Sequence, residues 1–374
     1  MRAFALEPEQ QQWCEQLRTL AVERFRPLAE SHDGEGVNRP LVAALGEAGL
    51  LERLFPPDGR PVAAMDLCLL RESLAHGCTE AETALALQGL GAYPVALSGS
   101  DEQRKRWLPE VAAGRAVAAF ALSEPGAGSD AAALGLTAEP AGEGWRLHGT
   151  KTWISNAPHA DVYSVFARTT AGAGSRGITG FLVPAGRPGL SGEGLAMLSP
   201  HPIGTLTFDG VSVTEADVLG TVDDGFAVAM RTLNLFRPSV GAFAVGMAQA
   251  ALDAAVAHAG TRTAFGGPLR DLQAVSHQLA EMATRTEAAR LLVHAAAAAY
   301  DRGDPGIAKR AAMAKLLATE TAQYVVDTAV QIHGAAALRQ GHLLEHLYRE
   351  VRAPRIYEGA TEVQRSIIAK ELYR

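Results

Sequence analysis

KTWISNA, residues 151–157, sets an indole and a hydroxyl two residues apart, so in a strand Trp153 and Ser155 share one side. Such a pair suits a planar heteroaromatic ligand, the ring stacking and the hydroxyl bonding a ring heteroatom. AFALSEPGAGSD, residues 119–130, ends a strand in a glycine turn whose small residues let a ligand come close, with Ser123 and Ser129 offering hydroxyls. Its GAGSDA resembles part of a dinucleotide fingerprint, but no crossover helix and parallel strand follow, so a polar loop at a barrel mouth is the better reading. HLLEH, residues 342–346, carries the spacing of one class of zinc peptidases. The third protein ligand such a site needs is missing downstream, which leaves both histidines as helix-surface residues. In RIYEGATEVQR, residues 355–365, Glu358 sits between a tyrosine and a glycine in a turn-like stretch, an odd seat for a carboxylate with no other purpose than solvation.

The segments that position these residues fall into three parts. Residues 1–115 read as helical, with Trp13, Leu17, Leu20 and Ala21 at three- and four-residue spacing. Residues 116–215 carry short runs rich in Val, Ile, Thr, Phe and Trp between turn clusters, and PAGEG reads as a hairpin connection. No helices alternate with these runs, which predicts an antiparallel barrel or sandwich. Residues 216–374 return to long apolar-striped helices, a C-terminal four-helix bundle, so the fold class is multidomain α+β. Within it, RTAFGGPLRDLQ (262–273) reads as a helix–turn–helix connection and QIHG (331–334) as a helix end.

Composition narrows the partners. The chain has 374 residues, a net charge of -7 and scattered Lys and Arg, which offers no basic face to nucleic acid or anionic lipid. The opening MRAFALEPEQQQWCEQL lacks a signal-peptide core, and the sequence reading finds no bilayer-length apolar run, so the expectation is a cytoplasmic protein. Cys14, Cys68 and Cys78 fit neither a disulfide framework nor a thiolate metal site and are expected to be reduced.

Taken together and in this order, AFALSEPGAGSD, KTWISN, RTAFGGPLRDLQ, QIHG and IYEGATEVQ resemble the acyl-CoA dehydrogenase family, from about residue 10 to the end; VLGTVDDGFAVAM also fits. The resemblance implies a noncovalent FAD. Phe120, Leu122, Ser123, Trp153 and Ser155 match positions that line its ring system. Arg262, Phe265, Gln273, Gln331 and Gly334 match positions that reach the FAD of a neighbouring subunit, which implies a homo-oligomer, usually a dimer of dimers, the homotetramer. Ser129 and Arg237 match positions near the CoA part of an acyl-CoA substrate, and Glu358 matches the catalytic base of the commonest branch, flanked by Tyr357 and Gly359 in the substrate site. The implied chemistry is α,β-dehydrogenation in fatty acid metabolism, with electrons passed to an electron-transferring flavoprotein. Some members keep the base on the helix holding LNLFRPS, where this chain has Phe236, which cannot accept a proton.

Three departures qualify the match. Paired glycines after QIH become Gly334-Ala335; the Gly-Thr after the base becomes Gly359-Ala360, with Thr361 next as the cofactor-side hydroxyl; and an Arg-Ala-Ser is replaced by SPHP, residues 199–202. The last leaves room for an acyl group on a carrier protein in place of CoA. A flavin monooxygenase or oxidase on the same fold, a metallohydrolase built on HLLEH and a non-catalytic helical scaffold are the competing readings.

Overall fold

The computed structural model describes residues 6–373 except 33, 35, 57, 58, 61 and 200, so the first residues of the opening segment and Pro200 of SPHP lie outside the described residues. The chain forms two compact units, one of Pro27–Val62 and Thr83–Leu233, the other of Met1–Arg26, Ala63–Glu82 and Asn234–Arg374.

The first unit holds an eight-stranded sheet of β1 (Ala118–Ala121), β2 (Thr137–Ala141), β3 (Gly144–Ser155), β4 (Val162–Arg168), β5 (Ile178–Pro184), β6 (Leu190–Gly194), β7 (Ile203–Thr214) and β8 (Val218–Leu219). The strands run in the order β6-β7-β3-β2-β4-β5-β8, with β1 on β4. The sheet is mixed and not wholly antiparallel as expected, because β1 and β2 both pair β4 in parallel. The reason is topological. β2 and β3 form an antiparallel hairpin around Gly142, whose φ of 61° suits its turn, and β4 then crosses to the far side of β2, where its direction must match that of β2. Leu147, Tyr163, Val165, Phe181, Phe208 and Val211 fill the core of the sheet.

The second unit is helical. Ile307–His333 packs on Gln273–Asp301 and Thr361–Leu372, and Ala64–Gly77 packs on Gln273–Asp301 and Pro8–Leu20. Small residues allow the close approach: a Cβ at Gly246 would lie 2.4 Å from the carbonyl oxygen of Glu72. Asp301 accepts from the backbone N–H groups of Ala64 (2.6 Å) and Met65 (3.0 Å), capping a helix to which it does not belong. Glu72 is ion-paired to Arg290 at 2.7 Å.

The helix Gly225–Thr261 corrects one sequence expectation. It contains an 18-residue window with mean hydropathy 1.5, long and apolar enough by composition to cross a bilayer, but 72% of that window is buried inside the protein. Its apolarity belongs to a core helix. Cys14, Cys68 and Cys78 are free and buried, and burial raises all three thiols, Cys78 to about 12.

Candidate functional site

Glu358 lies in the turn between the short 3-10 segment Ala353–Arg355 and the helix Thr361–Leu372. Its backbone is left-handed, φ 51°, and Gly359 follows at φ 95°. A non-glycine residue holds that conformation only when its surroundings enforce it. The enforcement is visible. Lys315, from the middle of Ile307–His333 and buried, donates from Nζ to the carbonyl of Tyr357 at 2.6 Å and also to that of Gly359. Gln364 Nε2 donates to the Gly359 carbonyl at 2.8 Å, and Arg237 Nε reaches the Glu358 carbonyl at 3.4 Å. The φ of 95° at residue 359 favours glycine, and a Cβ there would lie 2.4 Å from Gln364 Nε2 and displace that donor. The Thr361 hydroxyl donates to Glu320 Oε1 at 2.9 Å and ties the following helix to the same support.

Within this clamp Glu358 Oε2 is shut off from solvent and meets no hydrogen-bond partner among the described residues. Desolvation raises the carboxyl pKa, while Arg71, Lys315 and Arg237 pull it the other way. Desolvation also pulls Lys315 down to about 8 and lowers Arg237. The Tyr357 phenol is driven well up by burial. Arg71, from Ala64–Gly77, is 2% exposed, ion-paired through Nε to Glu82, and donates from Nη1 to Ser239 Oγ at 2.7 Å. The result is a carboxylate made more basic by burial yet kept ionisable by nearby cations, which is the chemistry of a proton acceptor. Sequence reading missed Arg71 and Lys315. Their only signal is a lone cation inside an apolar run, DLCLLRESLA and AAMAKLLA.

Glu350, the last residue of the helix Leu343–Glu350, is buried close by in the same unit, and its pKa is pushed up to about 8 by desolvation first and then by Glu80 and Glu82, against Arg349. A folded pKa above the ordinary 4.5 means that its stabilising contribution is full below pH 4.5 and is lost as pH rises through 8. Within that window the loss is about 1.4 kcal/mol per pH unit. Glu350→Gln is therefore expected to flatten the fall of Tm between pH 5 and pH 8, read by thermal unfolding of both proteins at several pH values.

The β unit presents the other predicted residues. Trp153 sits on left-handed backbone, φ 59°, at a register shift between Lys151 and Ile154, and is 55% exposed. Ile154 is buried and Ser155 half-buried, while Lys151 and Thr152 are both buried and break the strict alternation on which the expected same-side placement of Trp153 and Ser155 rests. Phe120 packs on Phe166 with ring centroids 5.0 Å apart, and Leu122 is buried beside it. The Ser123 carbonyl accepts from Thr152 N at 3.0 Å; Ser129 is exposed in the loop. That loop is braced by a pair the sequence did not announce. Lys151 Nζ donates to Glu124 Oε1 (2.7 Å) and to the Leu122 carbonyl (2.9 Å), while Glu124 accepts from the N–H groups of Gly135 (2.6 Å) and Leu136 (2.9 Å).

Arg262, Phe265, Gln273, Gln331 and Gly334 are all exposed. Phe265 is 95% exposed at the tip of the tight hairpin Thr263–Ala264/Gly267–Pro268, with φ 52° there and 89° at Gly266. Gly334 ends the helix Ile307–His333 at φ 62° with open space around it. Of five described non-glycine residues with positive φ, three are Trp153, Phe265 and Glu358, so the strained backbone falls on residues already singled out for chemistry. His342 caps Leu343–Glu350 by accepting from Leu344 N at 3.1 Å, and His346 Nε2 lies 2.6 Å from the Thr79 hydroxyl. Among the described residues no His, Cys, Asp and Glu group is arranged to hold a metal.

Family models for the N-terminal, middle and C-terminal domains of acyl-CoA dehydrogenase match residues 7–115, 119–211 and 223–373. The chain belongs to the acyl-CoA dehydrogenase family. It is 35% identical over 367 residues to cyclohexane-1-carbonyl-CoA dehydrogenase of Geobacter metallireducens, covering 96% of each chain. Butyryl-CoA dehydrogenase from Megasphaera elsdenii superposes with a TM-score of 0.92 at 31% identity, over 99% of this chain and 100% of that one. PigA, solved with FAD and proline, superposes with a TM-score of 0.94 at 27% identity, over 99% of each chain. The protein is a flavin-dependent acyl-CoA dehydrogenase, an oxidoreductase, and FAD is its cofactor. The residues present suit such a group: Trp153 offers a largely exposed indole beside Ser155, and Gly334 leaves its surroundings open.

Proposed function

We propose that the protein removes the α-proton of an acyl thioester with Glu358 while the β-hydrogen leaves as hydride, giving the trans-2-enoyl thioester. The observation that carries this reading is the buried, unpartnered Oε2 of Glu358, held on a left-handed backbone by five side-chain hydrogen bonds to the carbonyls of residues 357–359. FAD, when bound, supplies the hydride acceptor at N5. The chain's own share is to keep Glu358 dry, to hold it ionised through Arg71, Lys315 and Arg237, and to donate from the backbone N–H of the base to the thioester oxygen. Trp153, Ser155, Phe120, Leu122 and Ser123 are assigned to the flavin ring. Exposed Phe265, Arg262, Gln273, Gln331 and Gly334 are assigned to the cofactor of a second copy of this chain in a homo-oligomer, and Thr361 to the cofactor side of the base turn. Ser129, Arg237, Tyr357 and Gly359 are assigned to the substrate, and an electron-transferring flavoprotein takes the electrons.

A carrier-protein thioester is the second reading, and His201 favours it. In the segment that replaces a basic family position, burial pulls the His201 imidazole down to about 4, so at neutral pH it brings no charge to the phosphates of CoA. The test is anaerobic flavin bleaching by CoA-bound and carrier-bound thioesters of the same acyl groups. Bleaching by either class supports the dehydrogenase. Rapid peroxide formation in air without enoyl product would replace it with an oxidase.

A further inference from the structure

The histidines of QIHG and of HLLEH have no part in the reaction described above, yet the fold brings two of them together with a third. His333 ends the helix Ile307–His333, His342 caps Leu343–Glu350, and His258 stands in the last turn of Gly225–Thr261. The rings of His258 and His333 stack with centroids 4.1 Å apart and planes inclined by 25°, and His342 meets His333 edge-on at 5.6 Å. All three are half-buried, so the cluster remains open to solvent.

Hydrogen bonds fix where a further proton can go. His333 Nδ1 faces the Ala329 carbonyl at 2.9 Å; a carbonyl only accepts, so Nδ1 carries the hydrogen and Nε2 is bare. His342 Nδ1 accepts from Leu344 N at 3.1 Å and would lose that cap on protonation. The proton sites are therefore His258 and Nε2 of His333. Both lie at helix C-termini, where the helix dipole favours an imidazolium. Against this, burial first, and then Arg262 and His342, lower the His258 pKa. Burial also lowers that of His333, as do His258 and His342, while the Ala329 carbonyl raises it.

The charges that bear on the stack are thus cations, and Arg339 lies in the connection between His333 and His342. The carboxylates of the surrounding segments are placed elsewhere. Glu345 pairs with Arg349 at 2.7 Å, Asp271 faces Arg270 at 3.9 Å, and Asp253 meets His76 at 2.9 Å. Asp327 stands about 9 Å back along the helix that His333 ends. What the cluster lacks is an anion. Its two flanks are the residues assigned above to one: Gly334 follows His333 directly, and Arg262 is one turn beyond His258, its N–H bonded to the His258 carbonyl at 2.8 Å.

We propose that His258 and His333 form a proton-coupled receptor for the diphosphate of the second copy's FAD, the stack taking one proton from solvent as the cofactor arrives and returning it when the cofactor leaves. The inference rests on the assignment of Arg262 and Gly334 to that cofactor. The diphosphate itself does not titrate near neutrality, so the pH dependence belongs to the imidazoles. A dianion beside the stack favours its protonated form, and by linkage a proton taken up on binding makes the complex tighter as pH falls.

Holoprotein equilibrated at high dilution at pH 6, 7 and 8 tests it, with released FAD read by its fluorescence and folding by circular dichroism. The wild type is expected to hold FAD roughly tenfold more weakly at pH 8 than at pH 6, the scale for one coupled proton. The double variant His258→Phe/His333→Phe keeps two stacked rings without a proton site, and is expected to bring that ratio to about two or less. Each single substitution is expected to lower it in part, which keeps the test decisive where the double variant does not fold. His342→Asn retains a cap acceptor and is expected to leave the ratio unchanged. Arg262→Met is expected to weaken FAD binding at every pH. Because each ratio is taken within one protein, a general weakening of the fold or of the contact between copies cancels. Affinity that the wild type keeps constant from pH 6 to pH 8, or a ratio that the histidine substitutions leave intact, overturns the proposal, while weakening by Arg262→Met in the same series keeps the assignment of this segment to the cofactor. FAD affinity untouched by Arg262→Met at every pH overturns that assignment, and with it the diphosphate as the anion of this cluster.

Discussion

Glu358→Gln is expected to reduce the rate of anaerobic flavin bleaching by a saturating acyl thioester by roughly 10²–10⁴ or more, the range for a positioned general base. The amide matches the carboxylate in shape and makes no new demand on the left-handed backbone at φ 51°, so the FAD content and unfolding temperature are expected to stay close to those of the wild type. The pH dependence carries the same test. The wild-type carboxyl has a raised pKa through desolvation, and only its ionised form accepts a proton. Its bleaching rate should therefore climb as pH rises through that pKa and then level off, whereas the variant should show a low, flat profile. Stopped-flow absorbance of the flavin reads both. A variant that bleaches within threefold of the wild type would remove Glu358 from the chemistry and leave its burial among Arg71, Lys315 and Arg237 without a catalytic purpose.

What the sequence could reveal about this site follows from how each residue is held. Trp153, Phe265 and Glu358 were legible because each stands in a short motif whose neighbours are Gly, Ser, Asn or Pro, the residue types that accompany unusual backbone; all three prove to have positive φ. The alternation of helical and β segments was legible for the same local reason, since period and turn chemistry are read within a dozen residues. Pairings between distant segments were not. The parallel contact of β1 with β4 joins residues 44 apart in the register Ala118 to Val162, and nothing local to either strand fixes it. The charged shell was hidden in the same way. Arg71 meets Ser239 across 168 positions and Lys315 meets Tyr357 across 42, so each looked like an isolated cation on an apolar helix until the chain was folded. The apolar helix Gly225–Thr261 misled in the opposite sense, because composition alone does not say whether a long apolar face will meet lipid or protein.

Lys315→Met separates the support of the base from the base itself. The methionine fills most of the same volume but leaves the buried carbonyls of Tyr357 and Gly359 without their Nζ donor. The Gly359 carbonyl retains a second donor, so the main cost is the Tyr357 carbonyl left short of a partner, about 1–3 kcal/mol, and the unfolding midpoint in urea should drop. The carbonyl of Gly359 keeps Gln364 Nε2 at 2.8 Å and that of Glu358 keeps Arg237, which is why the turn is expected to loosen and not to rearrange. Catalysis should suffer in a distinctive direction. Lys315 is one of three cations that lower the Glu358 pKa against desolvation, so its removal raises that pKa further and moves the rising limb of the pH–rate profile to more alkaline values. At neutral pH the rate is expected to fall roughly 10- to 100-fold, in the range a lost charge contact and a loosened geometry produce together. Raising the pH should recover part of that loss, a recovery that Glu358→Gln cannot show. If Lys315→Met destabilises the fold but leaves the pH profile where the wild type has it, Lys315 serves the turn alone, and the ionisation of Glu358 is governed by Arg71 and Arg237.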